Sequence, residues 1–139
     1  MIEVLDEAGV RDMVQVHDQA FGGDHRAMGR SVLADISDRP EAVAAFVAYA
    51  GAVPISAGRI ELHVGTDFAS LWGGGTVPDW RGRGVFRSLV SHRASRARAA
   101  GFRYLQVDAS AQSRPILERL GFVELATTTP FTMSARPAG

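Results

Sequence analysis

Three consecutive glycines, Gly73–Gly75, interrupt a segment, FASLWGGGTVP, that otherwise reads as a β-strand. Glycine contributes no side chain to a sheet face, so a triple run cannot be an ordinary strand interior. It implies a bulge, or a close approach of something to the backbone. The turn Trp80-Arg81-Gly82-Arg83-Gly84 follows at once, and then Val85 to Ala100, where Val85, Leu89, Val90, Ala94 and Ala97 form the apolar stripe of a helix closed by Gly101. A strand, a glycine turn and a helix start in that order make an anion site. The first helical N–H groups have no internal partner, and the macrodipole adds partial positive charge there. The pattern Gly82-x-Gly84-x-x-Arg87 lacks the third glycine of a dinucleotide fingerprint, and no Gly-Lys-Ser/Thr is present, which disfavours NAD and ATP. Taken without its surroundings, so short a pattern fits a plain strand-to-helix turn better than a ligand site.

The rest of the chain tells what the turn is attached to. At 139 residues there is room for one domain, and no repeat or linker divides residues 1–139. Met1 to Leu5 reads as a short strand, Glu7 to Phe21 as a helix stopped by Gly22 and Gly23, and His25 to Ile36 as a second helix ending before Pro40. AVAAFVAYA and PISAGRIELHV, joined by a turn over Gly51 to Pro54, form a hairpin, and the glycine-bearing strand is the third of that group. Phe102 to Ala109 reads as a buried strand. Ser113, Arg114 and Pro115 open a short helix closed by Gly121, and FVELATTTPFTMSA supplies one or two final strands. The order β-α-α-β-β-β-α-β-α-β-β predicts an α/β (α+β) domain, a mixed, mostly antiparallel sheet with helices on both faces.

Composition removes several kinds of chemistry. With no cysteine, disulfide frameworks, thiolate catalysis and Fe–S clusters are excluded; with all 15 basic residues arginine, so are catalytic lysines and Schiff bases. Net charge is zero but unevenly laid out: eight arginines against three acids from Asp79 to Glu118, nine acids against four arginines in residues 1–50. The arginine-rich block should face an anion. Zero net charge argues against a nucleic-acid partner. No signal peptide or apolar run of about 20 residues appears, so the expectation is a cytoplasmic protein without a membrane partner. His17, His25 and His92 have no partner at metal-ligand spacing, predict no metal site and read as surface residues.

The segment from Thr76 to Phe122 resembles the acetyl-CoA-binding core of the GNAT-type N-acetyltransferase superfamily, and the order of elements extends the resemblance over the chain. That family's signature, Gln/Arg-x-x-Gly-x-Gly/Ala, opens its third helix shortly after a V-x-P-like strand end, and an LGF sequence follows. Arg81, Gly84 and Gly121-Phe122 match; Phe86 occupies the position of the last small residue. The resemblance implies a GNAT fold with acetyl-CoA as cosubstrate. Backbone N–H groups from Gly82, Arg83, Gly84, Val85, Phe86 and Arg87 would take the pyrophosphate, and Arg83 and Arg87 would pair with phosphates. Gly74, Gly75 and Thr76 would hydrogen-bond the pantetheine arm. Phe86 should point away from the pyrophosphate. The family's thiolate-protonating tyrosine corresponds to Leu117, its fifth-strand carboxylate to Gln106, and its helpful asparagine to Ser110 or Ala111, with Ser113 as a substitute or an N-cap.

Acetyl transfer to an amine needs a group that takes a proton and a donor for the thioester oxygen. Glu61 and His63, two apart on the strand before the glycine run, should share a face, and Asp108 should flank the pantetheine gap. Elimination favours Glu61 as base, acting through water, with a backbone N–H near Gly75 or Thr76 polarising the carbonyl. Each of the three also reads as an exposed strand residue. The expected activity is therefore direct acetyl transfer from acetyl-CoA to a small-molecule or peptide amine, without a covalent enzyme intermediate. The alternative is a catalytically silent acyl-CoA-binding module. An edge strand near the C-terminus leaves room for a homodimer.

Overall fold

The structure, a computed structural model, describes residues 1–108 and 113–123. Its elements are β1 (Ile2–Glu3), α1 (Glu7–Phe21), α2 (Arg26–Asp38), β2 (Val43–Ala50), β3 (Val53–Leu62), β4 (Phe68–Thr76), a 3-10 turn (Pro78–Trp80), α3 (Val85–Ala99), β5 (Tyr104–Val107) and α4 (Arg114–Arg119). These follow the predicted order. The expected final strands, with Ser110 and Ala111, lie outside the described residues. The sheet runs β1-β2-β3-β4-β5, antiparallel except that β5 lies parallel to β4.

Strand alternation assigns the two cores. Ala45, Val47, Ile55 and Ala57 point to one face and are covered by Val10, Met13 and Val16 of α1 and Val32 of α2. Ala44, Phe46, Ile60, Leu62, Ala69 and Leu71 point to the other and are covered by Leu89, Val90 and Ala97 of α3 and Leu117 of α4. A sheet apolar on both faces needs helices on both. α1 starts where Asp6 accepts from the Gly9 N–H at 3.0 Å, a side-chain cap for one of the free donors of the first turn. β5 is shorter and more open than the buried strand expected: Tyr104 is half exposed against Phe68.

Two irregularities create the site. β4 and β5 pair from Phe68–Tyr104 to Leu71–Val107 and no further, so Trp72 to Thr76 have no β5 partner among the described residues. On the opposite edge of β4, Arg59 pairs with Trp72 and Ala57 with Gly75, which leaves Gly58 facing both Gly73 and Gly74. That two-against-one mismatch is a β-bulge, and Gly73 sits in it at φ +58°, a region L side chains resist.

Candidate active site

A cleft of about 550 Å³ opens beside the part of β4 that has no β5 partner among the described residues. Gly74, Gly75 and Thr76 form one wall; Arg81, Gly82, Gly84, Phe86 and Arg87 of the turn and α3 form the floor; Ser113, Ile116 and Arg119 of α4 and Ala20 and Phe21 of α1 close the sides, with Trp80 between. The floor is built by the main chain. Gly82 and Gly84 adopt φ +75° and +81°, and Gly84 caps α3 with no side-chain hydrogen bond. The first bond of α3 runs from the Ser88 N–H to Gly84 O at 3.0 Å, so Val85, Phe86 and Arg87 present N–H groups without an intrahelical acceptor. Arg81 holds the turn in place: its Nε donates to Thr76 O at 3.1 Å and its Nη2 to Ala20 O at 2.8 Å, tying β4 to the end of α1. The Arg83 guanidinium lies 4.6 Å from the Trp80 ring centre. Trp80 packs against the α1-side core and also lines the cleft.

At the bulge the glycines let side chains from both sheet faces reach the backbone. A Cβ on Gly74 would come within 2.9 Å of Arg93 Nη2 and 3.2 Å of the Phe86 ring; one on Gly75 would fall 2.7 Å from the Phe21 ring. This locates Phe86. The signature position usually filled by a small residue takes an aromatic ring because the facing Gly74 has no side chain, and the ring packs against the α3-side core while also lining the cleft. Arg93 is 1% exposed and donates to Leu89 O, Arg59 O and Trp72 O, the last two at 3.0 and 3.2 Å. No carboxylate pairs with it among the described residues, and burial pulls its guanidinium down to about 10, leaving it charged at neutral pH.

His17 is the counterpart from α1. Expected at the surface, it is 3% exposed, with Nδ1 at 2.9 Å from Met13 O and Nε2 against Gly73 O. The contact to Gly73 O is the shorter of the two, which assigns the single proton of the neutral ring to Nε2, donated to Gly73 O. Burial lowers the His17 pKa. Side chains thus serve four carbonyls in a row of five residues: Arg93 at Trp72, His17 at Gly73, Ser56 at Gly75 (2.8 Å) and Arg81 at Thr76.

Of the residues expected to hold the cofactor, Gly74, Gly75, Thr76, Gly82, Gly84, Phe86, Arg87 and Ser113 line the cleft. Arg83 and Val85 stand in the same turn and helix start. The residues expected to move protons are not brought to it. Glu61 pairs with Ser70, three residues along β3 from Gly58 and about 10 Å from the bulge at the usual strand rise, and its carboxylate accepts from Arg39 Nη1 at 3.4 Å. The expectation that it faces the bulge is corrected by this register. His63 follows β3, with Nε2 at 2.7 Å from Ser70 Oγ, and Asp108 is exposed beyond β5. Leu117 is buried in the α3-side core. Phe21, Ile116 and Arg119 were not anticipated in the cleft; His17 and Arg93 had a legible signal, because each lies on its helix's apolar stripe, four residues after Met13 and Leu89. Among the described residues no three His, Cys, Asp or Glu side chains are grouped to hold a metal, and no helix is long and apolar enough to cross a membrane.

A parallel strand that, among the described residues, pairs with only the first four residues of a bulged neighbour, with a glycine turn and helix start beside the remainder, is the arrangement of an α+β acetyltransferase fold. Residues 10–122 match the acetyltransferase (GNAT) family, and the chain belongs to it. Solved structures share the fold. A GNAT-family protein from Desulfovibrio desulfuricans superposes with TM-score 0.78 at 14% identity, covering 90% of this chain and 85% of its own. The aminoglycoside 6'-N-acetyltransferase AAC(6')-IG from Acinetobacter haemolyticus gives 0.74 at 17% identity, covering 93% and 95%. The aminoglycoside N-acetyltransferase AAC(6')-Iy, in complex with CoA, gives 0.72 at 21% identity, covering 91% and 89%. A Pyrococcus horikoshii protein assigned as an acetyltransferase also matches, and this chain spans 43% of it. No curated protein sequence matches significantly.

Proposed function

We propose that the chain is an N-acetyltransferase that binds acetyl-CoA in the cleft and passes the acetyl group directly to a primary amine. The observation that carries this is the cleft itself. It joins a helix start whose first three N–H groups have no intrahelical acceptor, suited to a pyrophosphate, to a stretch of β4 without a β5 partner among the described residues, suited to an extended amide-bearing arm. Gly82 to Arg87 would receive the pyrophosphate, with Arg83, Arg87 and Arg119 supplying charge, and Gly74 to Thr76 would pair with the pantetheine. The thioester then lies against the bulge. There the buried Arg93 cation, behind Gly74, favours negative charge developing on the carbonyl oxygen and the departing sulfur.

The aminoglycoside N-acetyltransferase AAC(6')-Iy has been seen in complex with CoA and with the bisubstrate analogue CoA-S-monomethyl-acetylneamine, which supports acetyl-CoA and a small amine as the two substrates here. The test is to incubate the protein with acetyl-CoA and a panel of primary amines that includes neamine, and to follow free thiol. Thiol release above the hydrolysis blank in the presence of one of the amines is expected. Tight acetyl-CoA binding with no amine-dependent release would identify a silent acyl-CoA-binding module, a reading favoured by the burial of Leu117 where the family places an acid.

A further inference from the structure

Amine acetylation needs a proton acceptor, and the carboxylate of Glu61 is tied to Arg39 away from the cleft. Among the described residues the cleft wall contains no carboxylate. Two imidazoles, His17 and His25, pack against Phe21 of the cleft wall. The rings of His17, Phe21 and His25 form a triangle with centres 5.5, 5.7 and 6.2 Å apart, and Phe21 is the member that lines the cleft and lies over Gly75. His17 donates Nε2–H to Gly73 O, and its Nδ1 is closed off by Met13 O at 2.9 Å. His25 differs. Its Nδ1 is 2.9 Å from Asp18 Oδ1, the same oxygen that accepts its backbone N–H at 2.8 Å, and its Nε2 has no hydrogen-bond partner among the described residues. The imidazole is partly exposed, at 25%.

We propose that Asp18 and His25 form the dyad that takes the proton from the acceptor amine, with His25 Nε2 as the general base and Asp18 as the positioning residue. The carboxylate at Nδ1 selects the tautomer with its proton on that nitrogen and leaves the Nε2 lone pair open, the arrangement a base needs. The inference rests on the acetyltransferase reading. It also defines the acceptor as an amine that arrives protonated, a primary alkylammonium, entering past Phe21 from the α1–α2 side. The chemistry then balances as follows. His25 Nε2 removes one proton from the ammonium, directly or through one water. The freed nitrogen lone pair forms the N–C bond to the thioester carbonyl while the C–S bond breaks, its electrons going to sulfur. The nitrogen's second proton ends on the thiolate, giving the acetamide and the CoA thiol, and the imidazolium returns its proton to solvent.

The titratable and charged groups around His25 are Asp18 and the neutral His17 on α1, the Asp24–Arg26 ion pair at the start of α2, and Arg59 of β3, whose charge reaches His17. Asp24 and Arg26 pair with one another at 2.6 Å, which leaves Asp18 as the carboxylate that contacts the ring.

The test measures thiol release by wild type, His25→Gln and Asp18→Asn with two acceptors, a primary alkylamine found active in the panel and hydroxylamine, which is already neutral at neutral pH. Acetyl-CoA affinity of each variant serves as the folding control. With the alkylamine, His25→Gln should lose about 100-fold in kcat and the acid limb of the pH profile. Asp18→Asn, which keeps an acceptor for the His25 backbone N–H, should lose about tenfold with the pH limb shifted. With hydroxylamine both variants should stay within a few-fold of wild type. Equal losses with both acceptors would show a purely structural role and overturn the dyad, as would wild-type alkylamine turnover in His25→Gln. A wild-type protein that binds acetyl-CoA but acetylates no amine overturns the transferase reading and the dyad with it.

Discussion

The two ends of the cleft are made differently. The end formed by Arg81 to Arg87 is contiguous in sequence and offers main-chain donors, shaped by two left-handed glycines and needing only that the helix begin there. The bulge end is assembled from α1, β3, β4 and α3, and its character comes from side chains, His17, Phe21 and Arg93, that meet the backbone only because Gly58 and Gly73–Gly75 lack a Cβ. A local main-chain site can be built by a few residues and tolerates change around it. A site assembled from four elements couples binding to the stability of the whole sheet.

That contrast makes different demands on each residue. The largest effect belongs to the assembled end. Arg93→Met leaves Arg59 O and Trp72 O without their side-chain donor, and at roughly 1–3 kcal/mol for each buried unsatisfied group the loss should reach about 3 kcal/mol in urea unfolding, with the offset from removing a buried charge included. A variant as stable as wild type would mean the bulge holds itself.

At the contiguous end the expected loss is in binding. Gly84→Val places a β-branched residue at φ +81° and crowds the donors, so acetyl-CoA affinity should fall about 30-fold, some 2 kcal/mol, in calorimetry while the melting transition remains cooperative. Retained affinity would move the phosphate site elsewhere. Arg81→Leu bridges the two cases, since its guanidinium ties Thr76 O to Ala20 O. It should lower both stability and affinity by about 1 kcal/mol each, whereas a loss in only one would uncouple the ends.

The smallest effect is a slope. His17 has its pKa lowered by burial, so the unfolded chain takes up a proton from about pH 6.5 downward before the folded chain does. Stability should therefore hold above pH 6.5 and fall as pH drops toward the lowered folded value, by up to about 1.4 kcal/mol per pH unit. His17→Gln should flatten that limb between pH 4 and 7; an unchanged limb would place the titration on other groups.

The same contrast explains what could be read without coordinates. The helix over Glu7–Phe21 and the strand, turn and helix from Phe68 to Ala99 were legible because periodicity and glycine punctuation are local signals. So was the demand that something approach Gly73–Gly75. What approaches was not, because Phe21, His17 and Arg93 lie 54, 56 and 19 residues from Gly75, Gly73 and Gly74, and nothing local pairs them. Glu61 was misplaced for a related reason. Alternation correctly gives a residue's face, but its position along the strand depends on register, and the register that pairs Ala57 with Gly75 carries Glu61 to the far end. His25 was set aside as a surface residue because its partner, Asp18, becomes a neighbour only when α1 turns into α2.

The account depends most on the claim that main-chain groups at the start of α3 receive the ligand's phosphates. Amide chemical shifts of the isotopically labelled protein, followed during titration with acetyl-CoA, test it at the atoms concerned. The largest movements should fall on Gly82 to Arg87, with a second set at Gly74 to Thr76 that is lost when pyrophosphate alone is titrated. Shifts that leave Val85, Phe86 and Arg87 unmoved at saturation would contradict it.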